Sequence, residues 1–121
     1  MAVHNEIGQR GEDIARQYLT SKGYAILHTN WRIGRNEADI IAYQDGLLVF
    51  VEVKTRSSDN VTQPEDAVDL KKQRNYIRLA NAYVLQHHCE EEVRFDIVTV
   101  VIHSTDNAEI KHIPNAYNTI G

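Results

Sequence analysis

The dipeptide Asp45-Gly46 separates two runs of strand-forming residues, 36–44 and 47–56. This composition is the strongest short-range signal for a β-hairpin with a two-residue turn, because both turn positions need a positive φ. A turn of that length also sets the register, so that Gln44 faces Leu47 and the following pairs step outward from there. The sequence therefore predicts which side chains of the two strands share a face.

The two faces of the predicted hairpin differ in polarity, since side chains alternate along a strand. One face is apolar throughout, with the pairs Ala42–Val49, Ile40–Val51 and Ala38–Val53. The other face is apolar near the turn and ionic at the far end, with the pairs Tyr43–Leu48, Ile41–Phe50, Asp39–Glu52 and Glu37–Lys54. Strands that are apolar on both faces belong in the middle of a sheet that is covered on both sides. We therefore expect the ionic end to border a cleft.

The facing carboxylates of Asp39 and Glu52 need a positive partner. Directly opposite side chains have Cβ atoms about 5 Å apart, and like charges at that distance repel each other. Either Lys54 or a divalent cation could supply the charge, and Mg²⁺ commonly takes one or two carboxylates together with waters and phosphate oxygens. The same residues are equally compatible with a solvated ladder of charges at the rim of the sheet, which Glu37 and Arg56 would extend.

The rest of the chain predicts two helices and three further strands. Apolar residues at helical spacing indicate a helix over Ile7–Lys22, and Gly23 follows as a helix-ending residue. The segment Thr62-Gln63-Pro64-Glu65 is typical of a capping box that starts a second helix, which we expect to end near Gln86. Strands are expected at 24–31, 93–103 and 109–113, and a polar loop at 57–61. The order α-β-β-β-α-β-β predicts a single α+β domain over residues 1–121, with a central mixed sheet flanked by helices.

The distribution of charge says more about function than its total. The 121-residue chain has a formal net charge of −4, which argues against a nucleic-acid binder held by overall charge. The acidic excess lies in residues 79–121, whereas residues 32–78 hold eight acidic and eight basic side chains. The single cysteine, Cys89, excludes an internal disulfide, and the first residues lack a signal-peptide pattern. We therefore expect a cytoplasmic protein without a membrane span.

One acidic residue of the first helix falls on its apolar stripe. Glu12 follows the helical spacing of Ala15 and Leu19, so its carboxylate is expected to point toward or border the core. A charge in that position needs a partner, because burying an unpaired carboxylate is costly. The partner is either a bound cation or an arginine such as Arg16 or Arg56.

An amide lies in the equivalent position on the second helix. Gln73 falls between Leu70 and Ile77 on a stripe that is also expected to include Ala67, Ala80 and Val84. It is either a core-edge amide that bonds to the backbone or a residue of the site.

The combination of Glu12, Asp39, Glu52-Val53-Lys54 and Gln73 resembles the PD-(D/E)xK nuclease superfamily, which has the restriction-endonuclease-like fold and includes archaeal Holliday-junction resolvases. The sequence is still more similar to the bacterial YraN-like family, over nearly the whole chain. The segments that resemble that family are Gly8…Gly11-Glu12, Gly23-Tyr24, Asn30-Trp31-Arg32, Glu37–Ala42, Val49–Arg56 and Arg94-Phe95-Asp96. Three features depart from the patterns: Asn36 stands where the family usually has Gly, Ala38 replaces a bulkier apolar residue, and no proline precedes Asp39.

The resemblance implies metal-dependent hydrolysis of phosphodiester bonds in nucleic acid, with DNA as the foremost substrate. It implies that Asp39, Glu52 and the Val53 carbonyl bind Mg²⁺ or Mn²⁺. It also implies that Glu12 holds a second ion or a metal-bound water.

The remaining roles implied by the resemblance concern protons and charge. Lys54 would orient the attacking water or stabilise the developing charge, and Gln73 would position a ligand or the substrate. Glu37, opposite Lys54 in the predicted register, would tune the lysine rather than bind metal. The functional alternative is a nucleic-acid-binding or protein-interaction module on a nuclease fold, without turnover.

Basic residues of the middle segment are the expected phosphate contacts. They are Arg32, Arg35, Arg56, Lys71, Lys72, Arg74 and Arg78. Alternatively, Asp66, Asp69 and neighbouring acids pair with the bases of the second helix. The resemblance also implies a possible homodimer, because related resolvases are dimers, although no apolar seam in the sequence predicts one.

Overall fold

The computed structural model describes residues 2–58 and 69–118, with side chains from residue 6 onward. Two helices and five strands follow one another in the predicted order. They are α1 (Ala2–Ser21), β1 (Ala25–Ile33), β2 (Asn36–Gln44), β3 (Leu47–Ser57), α2 (Leu70–His87), β4 (Glu92–Ser104) and β5 (Asn107–Tyr117). Within these ranges, neither helix has a stretch long and apolar enough to cross a membrane.

The strands form one mixed sheet in the order β1-β2-β3-β4-β5. Neighbouring strands are antiparallel except β3 and β4, which are parallel. A parallel pair needs a long connection, and α2 lies in the segment that joins these two strands. The predicted α+β class with a central mixed sheet is therefore confirmed.

Each face of the sheet is covered by one helix and its own apolar cluster. On the α1 face, Ala15 and Leu19 pack with Ile40, Val49 and Val51. On the α2 face, the buried side chains include Tyr76, Leu79, Tyr83, Ile41, Phe50 and Phe95. The hairpin thus lies in the middle of a sheet covered on both sides, as its two apolar faces predict.

The register predicted for the hairpin is confirmed from Gln44–Leu47 as far as Ile40–Val51. Asp45 and Gly46 both have positive φ, at 50° and 81°, as the two-residue turn requires. The ladder ends at Ile40, so the predicted backbone pairs Asp39–Glu52 and Glu37–Lys54 are wrong. The physical reason is that the Asp39 carboxylate accepts a hydrogen bond from the Val53 N–H.

The alternation of β2 also breaks at this position. Ala38 packs in the cluster under α2, together with Ile41, whereas Ile40 packs under α1. The prediction that Ala38 shares a face with Ile40 is therefore wrong, because alternation requires a regular pleat and the backbone pairing of β2 is irregular at Asp39.

The inward stripe of α2 matches the predicted one in part, since Ala80 is buried and Ile77 and Val84 pack against its cluster. Its buried residues are Tyr76, Leu79, Ala80 and Tyr83, whereas Leu70 is 63% exposed. Tyrosine is amphipathic, and two tyrosine rings here fill space that the sequence pattern assigned to aliphatic side chains. Asp69 is the N-cap of α2, since its side chain accepts a hydrogen bond from the Lys72 N–H at 2.8 Å. The predicted capping box at 62–65 lies outside the described residues.

Strand ends also differ from the predictions. The last residue of β3 is Ser57, so the predicted polar loop starts later, and its residues 59–61 lie outside the described ranges. The final strand, expected at 109–113, extends over Asn107–Tyr117 despite Pro114. A proline is tolerated there because β5 is an edge strand of the sheet.

A buried ionic network fastens α1 and β5 to β4. The fully buried Asp96 carboxylate accepts two hydrogen bonds from the Arg94 guanidinium, at 2.8 and 2.9 Å, and one from the Asn115 N–H. His112 Nε2 lies 2.7 Å from Asp96, and its Nδ1 lies 3.1 Å from the Tyr18 hydroxyl of α1. The network therefore connects three elements through one carboxylate.

The close approach of α1 to β3 depends on Gly11. A Cβ built at this buried helical position would lie 1.9 Å from Thr55 Oγ1 and 2.7 Å from Thr55 Cβ. A β-branched side chain on a strand has little freedom to move away. Gly11 therefore lets the turn that holds Glu12 lie against β3.

We expect Gly11→Ala to lower the free energy of unfolding by about 1–3 kcal/mol through overpacking, although alanine is ordinarily the better helix former. Urea denaturation measures the effect. The matched control is Gly8→Ala, where a new Cβ meets no atom within 4 Å, and that change should stabilise the helix slightly. Thr55→Ala should rescue part of the loss, and a Gly11→Ala variant as stable as the parent would contradict the packing argument.

Candidate active site

The site lies where the pairing of β2 with β3 ends and its pairing with β1 skips Asp39 before it resumes at Ala38. Asp39 has no backbone partner on β3 or on β1, and the facing Asn30 of β1 has a φ of 53°. The hydroxyl of Tyr76 in α2 accepts a hydrogen bond from the Asp39 N–H at 3.1 Å and donates one to the Val51 carbonyl at 3.3 Å. A tyrosine thus satisfies backbone groups at the point where the pairing of β2 is irregular.

The two predicted carboxylates interact there despite the break. Asp39 Oδ2 lies 2.8 Å from the Val53 nitrogen, and Glu52 on the next strand is 8% exposed. Burial, followed by repulsion from Glu52, raises the pKa of Asp39 to about 8. The Val53 N–H and the Lys72 ammonium act in the opposite direction. The carboxylates therefore form an electrostatically strained pair that would gain from a second positive charge.

One cation beside this pair comes from α2. Lys72 Nζ lies 3.4 Å from Glu52 Oε2, and the lysine side chain is half exposed whereas that of Glu52 is 10% exposed. Lys54, which the resemblance places in the site, is partly buried on β3. Arg56 on β3 and Gln73 on α2 are also partly buried. The roles of these three residues stay predictions.

Glu12 borders the site from α1. Burial raises the pKa of Glu12, while a hydrogen bond from Asn30 Nδ2, at 3.2 Å, lowers it in part. Repulsion from Glu37, Asp13 and Glu52 adds to the upward shift. Arg16, one of the expected partners of Glu12, instead pairs with Asp13 at 2.9 Å.

Asn30 also holds Glu37. Its Nδ2 donates to Glu37 Oε2 at 2.6 Å, and Arg32 pairs with the other oxygen at 2.9 Å. Glu37 is therefore engaged with β1, whereas the predicted register placed it opposite Lys54. One amide spaces two carboxylates, Glu12 and Glu37, at the rim of the site.

We expect Asn30→Gly to raise the pKa of Glu12, because the variant removes the amide that favours the charged form. Glycine also tolerates the positive φ, so the change tests the amide rather than the backbone. A carboxyl ¹³C NMR titration measures the shift. Gln9→Ala, which removes an amide bound to Asp13 instead, is the matched control. An unchanged or lower pKa of Glu12 in Asn30→Gly would refute this role.

Two cavities meet at Asp39. The cavity on the α1 side has a volume of about 260 Å³ and is lined by Gln9, Glu12, Asp13, Arg16, Thr29, Asn30, Asp39 and Ile40. The cavity on the α2 side has a volume of about 280 Å³ and is lined by Arg35, Asn36, Glu37, Asp39, Lys72, Asn75 and Tyr76. Asp39 thus separates a cavity with an excess of acidic side chains from one in which Arg35 and Lys72 balance Glu37 and Asp39 itself.

The donor set fits a divalent cation at two carboxylates. Hard cations such as Mg²⁺ are commonly held by one or two carboxylates, with waters and substrate oxygens completing the shell. The repulsion that raises the pKa of Asp39 is the kind that a bound cation relieves. Within the described ranges, no three histidine, cysteine or acidic side chains come close enough together to enclose an ion. The fit therefore rests on Asp39 and Glu52, and ligation by Glu12 or the Val53 carbonyl stays a prediction.

The predicted phosphate contacts fall into two groups. Arg35, Lys71, Arg74 and Arg78 are exposed, and none forms an ion pair with another described residue. Arg32 and Lys72 pair with Glu37 and Glu52. Asp69 caps α2, and Asp66 lies outside the described ranges. The described part of α2 contains no acidic residue, so this helix presents an exposed basic surface next to the α2-side cavity.

Comparison with known proteins links these elements to one family. A model of the uncharacterised protein family UPF0102 matches residues 11–100. The chain belongs to this family. The matched segment of the UPF0102 model runs from Gly11 through the hairpin and α2 into β4, so it includes every residue proposed here for the site.

Individual UPF0102 relatives match the chain along almost its full length. A UPF0102 protein of Bacteroides thetaiotaomicron is 49% identical over 117 residues, which cover 97% of this chain and 96% of the relative. A UPF0102 protein of Parabacteroides distasonis is 48% identical with the same coverage. UPF0102 protein FP2501 of Flavobacterium psychrophilum is 41% identical, covering 97% of this chain and 98% of the relative.

Three residues of the site were not predicted as functional. Asn30 occurs in one of the segments that resemble the family. The one signal that could have identified it is the enrichment of asparagine at positive φ, since Asn30 has a φ of 53°. Asn75 and Tyr76 follow the predicted Gln73 by two and three positions, but only the rotation of α2 shows that they, with Lys72, line the cavity beside Asp39.

Proposed function

We propose that this UPF0102 protein is a metal-dependent phosphodiesterase of nucleic acid, a DNA endonuclease that resembles Holliday-junction resolvases. The proposal includes a restriction-endonuclease-like fold, membership of the PD-(D/E)xK superfamily, a YraN-like relationship and a cytoplasmic location. The observation that supports it best is the strained pair of Asp39 and Glu52, whose aspartate lines two cavities, one of them containing Arg35 and Lys72.

The proposed cofactor is Mg²⁺ or Mn²⁺, which would polarise the scissile phosphate and lower the pKa of a bound water. Asp39 and Glu52 would hold the ion, and the Val53 N–H keeps the Asp39 carboxylate oriented. Lys54 would stabilise charge that develops on the phosphate. Glu12 would hold a second ion or a metal-bound water on the α1 side, where a cation would offset the burial and the neighbouring acids that raise its pKa.

Substrate would be bound by the basic surface on the other side of Asp39. Arg35 and Lys72 line the α2-side cavity, and Lys71 is exposed one residue away on the same helix. Lysine and arginine bind phosphate oxygens independently of base sequence. Local positive charge would therefore serve for substrate binding in a chain whose net charge is −4.

A panel of labelled substrates tests this function. Duplex, four-way junction, flap and single-stranded DNA, together with RNA, are incubated with the protein in Mg²⁺, Mn²⁺ or EDTA. We expect cleavage of at least one substrate in Mg²⁺ or Mn²⁺ and none in EDTA. Tight binding of nucleic acid without cleavage in either ion would instead support a non-catalytic binding module. Sedimentation of the protein with and without substrate would show whether it acts as a homodimer.

A further inference from the structure

The Lys72 ammonium lies where it can pair either with the Glu52 carboxylate or with an anion bound in the α2-side cavity. The backbone N–H of Lys72 is held by the Asp69 cap, which fixes the start of α2, while its ammonium reaches Glu52 at 3.4 Å. Its side chain is half exposed and also lines the cavity with Arg35, Asn36 and Asn75. The only negative group that Lys72 pairs with among the described residues is therefore one that the proposed function assigns to a metal ion.

A divalent cation and the Lys72 ammonium would compete for Glu52. Binding of the cation neutralises the carboxylate and so removes the attraction that holds the lysine. The released ammonium sits on a flexible four-carbon stem at a cavity lined by further donors, where a phosphate is the natural replacement anion. Conversely, a phosphate that draws Lys72 away removes the ammonium from Glu52 and raises the affinity of the carboxylate pair for a cation.

We propose that Lys72 is exchanged from Glu52 to a substrate phosphate when a divalent cation binds, so that cation and nucleic acid bind cooperatively. The inference rests on the proposed function, because it uses the same carboxylates and the same substrate class. Thermodynamic linkage requires that each ligand raise the affinity for the other by the same factor. Lys72 is thus a substrate-binding residue that also couples the two ligands.

Replacement of Lys72 should strengthen the binding of divalent cations and weaken the binding of nucleic acid. In Lys72→Ala without nucleic acid, the carboxylates lose a competing cation, so we expect Ca²⁺ and Mg²⁺ to bind about 3–10-fold more tightly by calorimetry. Binding of a labelled 20-base-pair duplex in Ca²⁺ should weaken. In the parent, Ca²⁺ at constant ionic strength should tighten duplex binding at least about 5-fold, and this enhancement should be lost in Lys72→Ala.

Lys71→Ala is the matched control, because Lys71 is the adjacent exposed lysine and forms no ion pair with a described residue. It should weaken duplex binding equally with and without Ca²⁺, and leave the affinity for Ca²⁺ unchanged. Lys72→Gln, which keeps a polar side chain, should reproduce the effects of Lys72→Ala. Circular dichroism melts of all three variants report whether α2 remains folded.

The outcomes separate the exchange from the proposed function. Unchanged Ca²⁺ affinity in both Lys72 variants, or equal loss of coupling in Lys71→Ala, would overturn the exchange, whether or not the parent cleaves DNA. Cooperative binding that depends on Lys72 in a protein that cleaves nothing would uphold the exchange and overturn the nuclease. If the parent binds neither ion nor nucleic acid, both proposals are wrong.

Discussion

Asp96→Asn is expected to lower the free energy of unfolding by about 3–5 kcal/mol, the largest stability effect that we predict. Asp96 is fully buried, and its carboxylate compensates an Arg94 guanidinium that is itself 19% exposed. Asparagine is neutral and has one acceptor oxygen, so the guanidinium charge and His112 would lose their shared partner. Urea denaturation at pH 7 measures the loss.

The control for this variant is Asp13→Asn. Asp13 pairs with Arg16 at 2.9 Å, but both side chains are 40% exposed or more, so solvent screens the pair and the change should cost less than about 1 kcal/mol. Similar losses in the two variants would contradict the view that burial makes the Asp96 network essential to the fold.

The same network predicts how stability responds to acid. Hydrogen bonds from His112, Arg94 and Asn115 outweigh burial and hold the pKa of Asp96 below its ordinary value of 3.8. A carboxyl whose pKa is lower in the folded state than in the unfolded state stabilises the fold at pH values above its ordinary pKa. That stabilisation is lost as the pH falls through the folded-state pKa. We therefore expect acid unfolding of the parent to contain a component that is absent from Asp96→Asn.

Asp39→Asn should have the opposite effect on stability. The pKa of Asp39 is raised to about 8, so ionising this group disfavours the folded state. The stability that depends on the protonated Asp39 carboxyl is fully present at pH values below the ordinary pKa of 3.8. It is lost as the pH rises through the folded-state pKa of about 8. An asparagine keeps the acceptor for the Val53 N–H but carries no charge. At pH 8 in EDTA, we expect the variant to be more stable than the parent by the order of 2 kcal/mol.

The comparison with Mg²⁺ completes this prediction. Added Mg²⁺ should stabilise the parent by mass action and have little effect on Asp39→Asn, so the difference between them should shrink. Asp106→Asn, at the exposed turn between β4 and β5, should leave the unfolding free energy within about 0.5 kcal/mol of the parent. An Asp39→Asn variant that is less stable than the parent in EDTA at pH 8 would contradict the strained pair.

The architecture could be predicted from local chemistry. The turn at Asp45-Gly46 requires positive φ at both residues, and this requirement set the correct register of the central hairpin. Gly23, with a φ of 94°, ends α1 for the same kind of reason. Such features depend on a few neighbouring residues, so the sequence alone contains their cause.

The details of the site could not be predicted in the same way, because they depend on contacts between distant segments. The break of β2 at Asp39 needs the hydroxyl of Tyr76, which is 37 residues away. The engagement of Glu37 by Asn30 and Arg32 follows from the pairing of β1 with β2, which strand alternation does not specify. The pairing of Lys72 with Glu52 likewise follows from the rotation of α2 over the sheet.

Single-turnover cleavage by the parent and by Asp39→Asn, on the best substrate of the panel and in Mg²⁺ or Mn²⁺, is the decisive test of the proposed nuclease activity. Binding of the same substrate, measured without cleavage in EDTA, serves as the internal control for folding. We predict that Asp39→Asn slows cleavage at least about 100-fold while this metal-free binding remains within a few-fold of the parent. Equal cleavage rates in the two proteins would contradict the account, because the activity would then not depend on the Asp39–Glu52 pair.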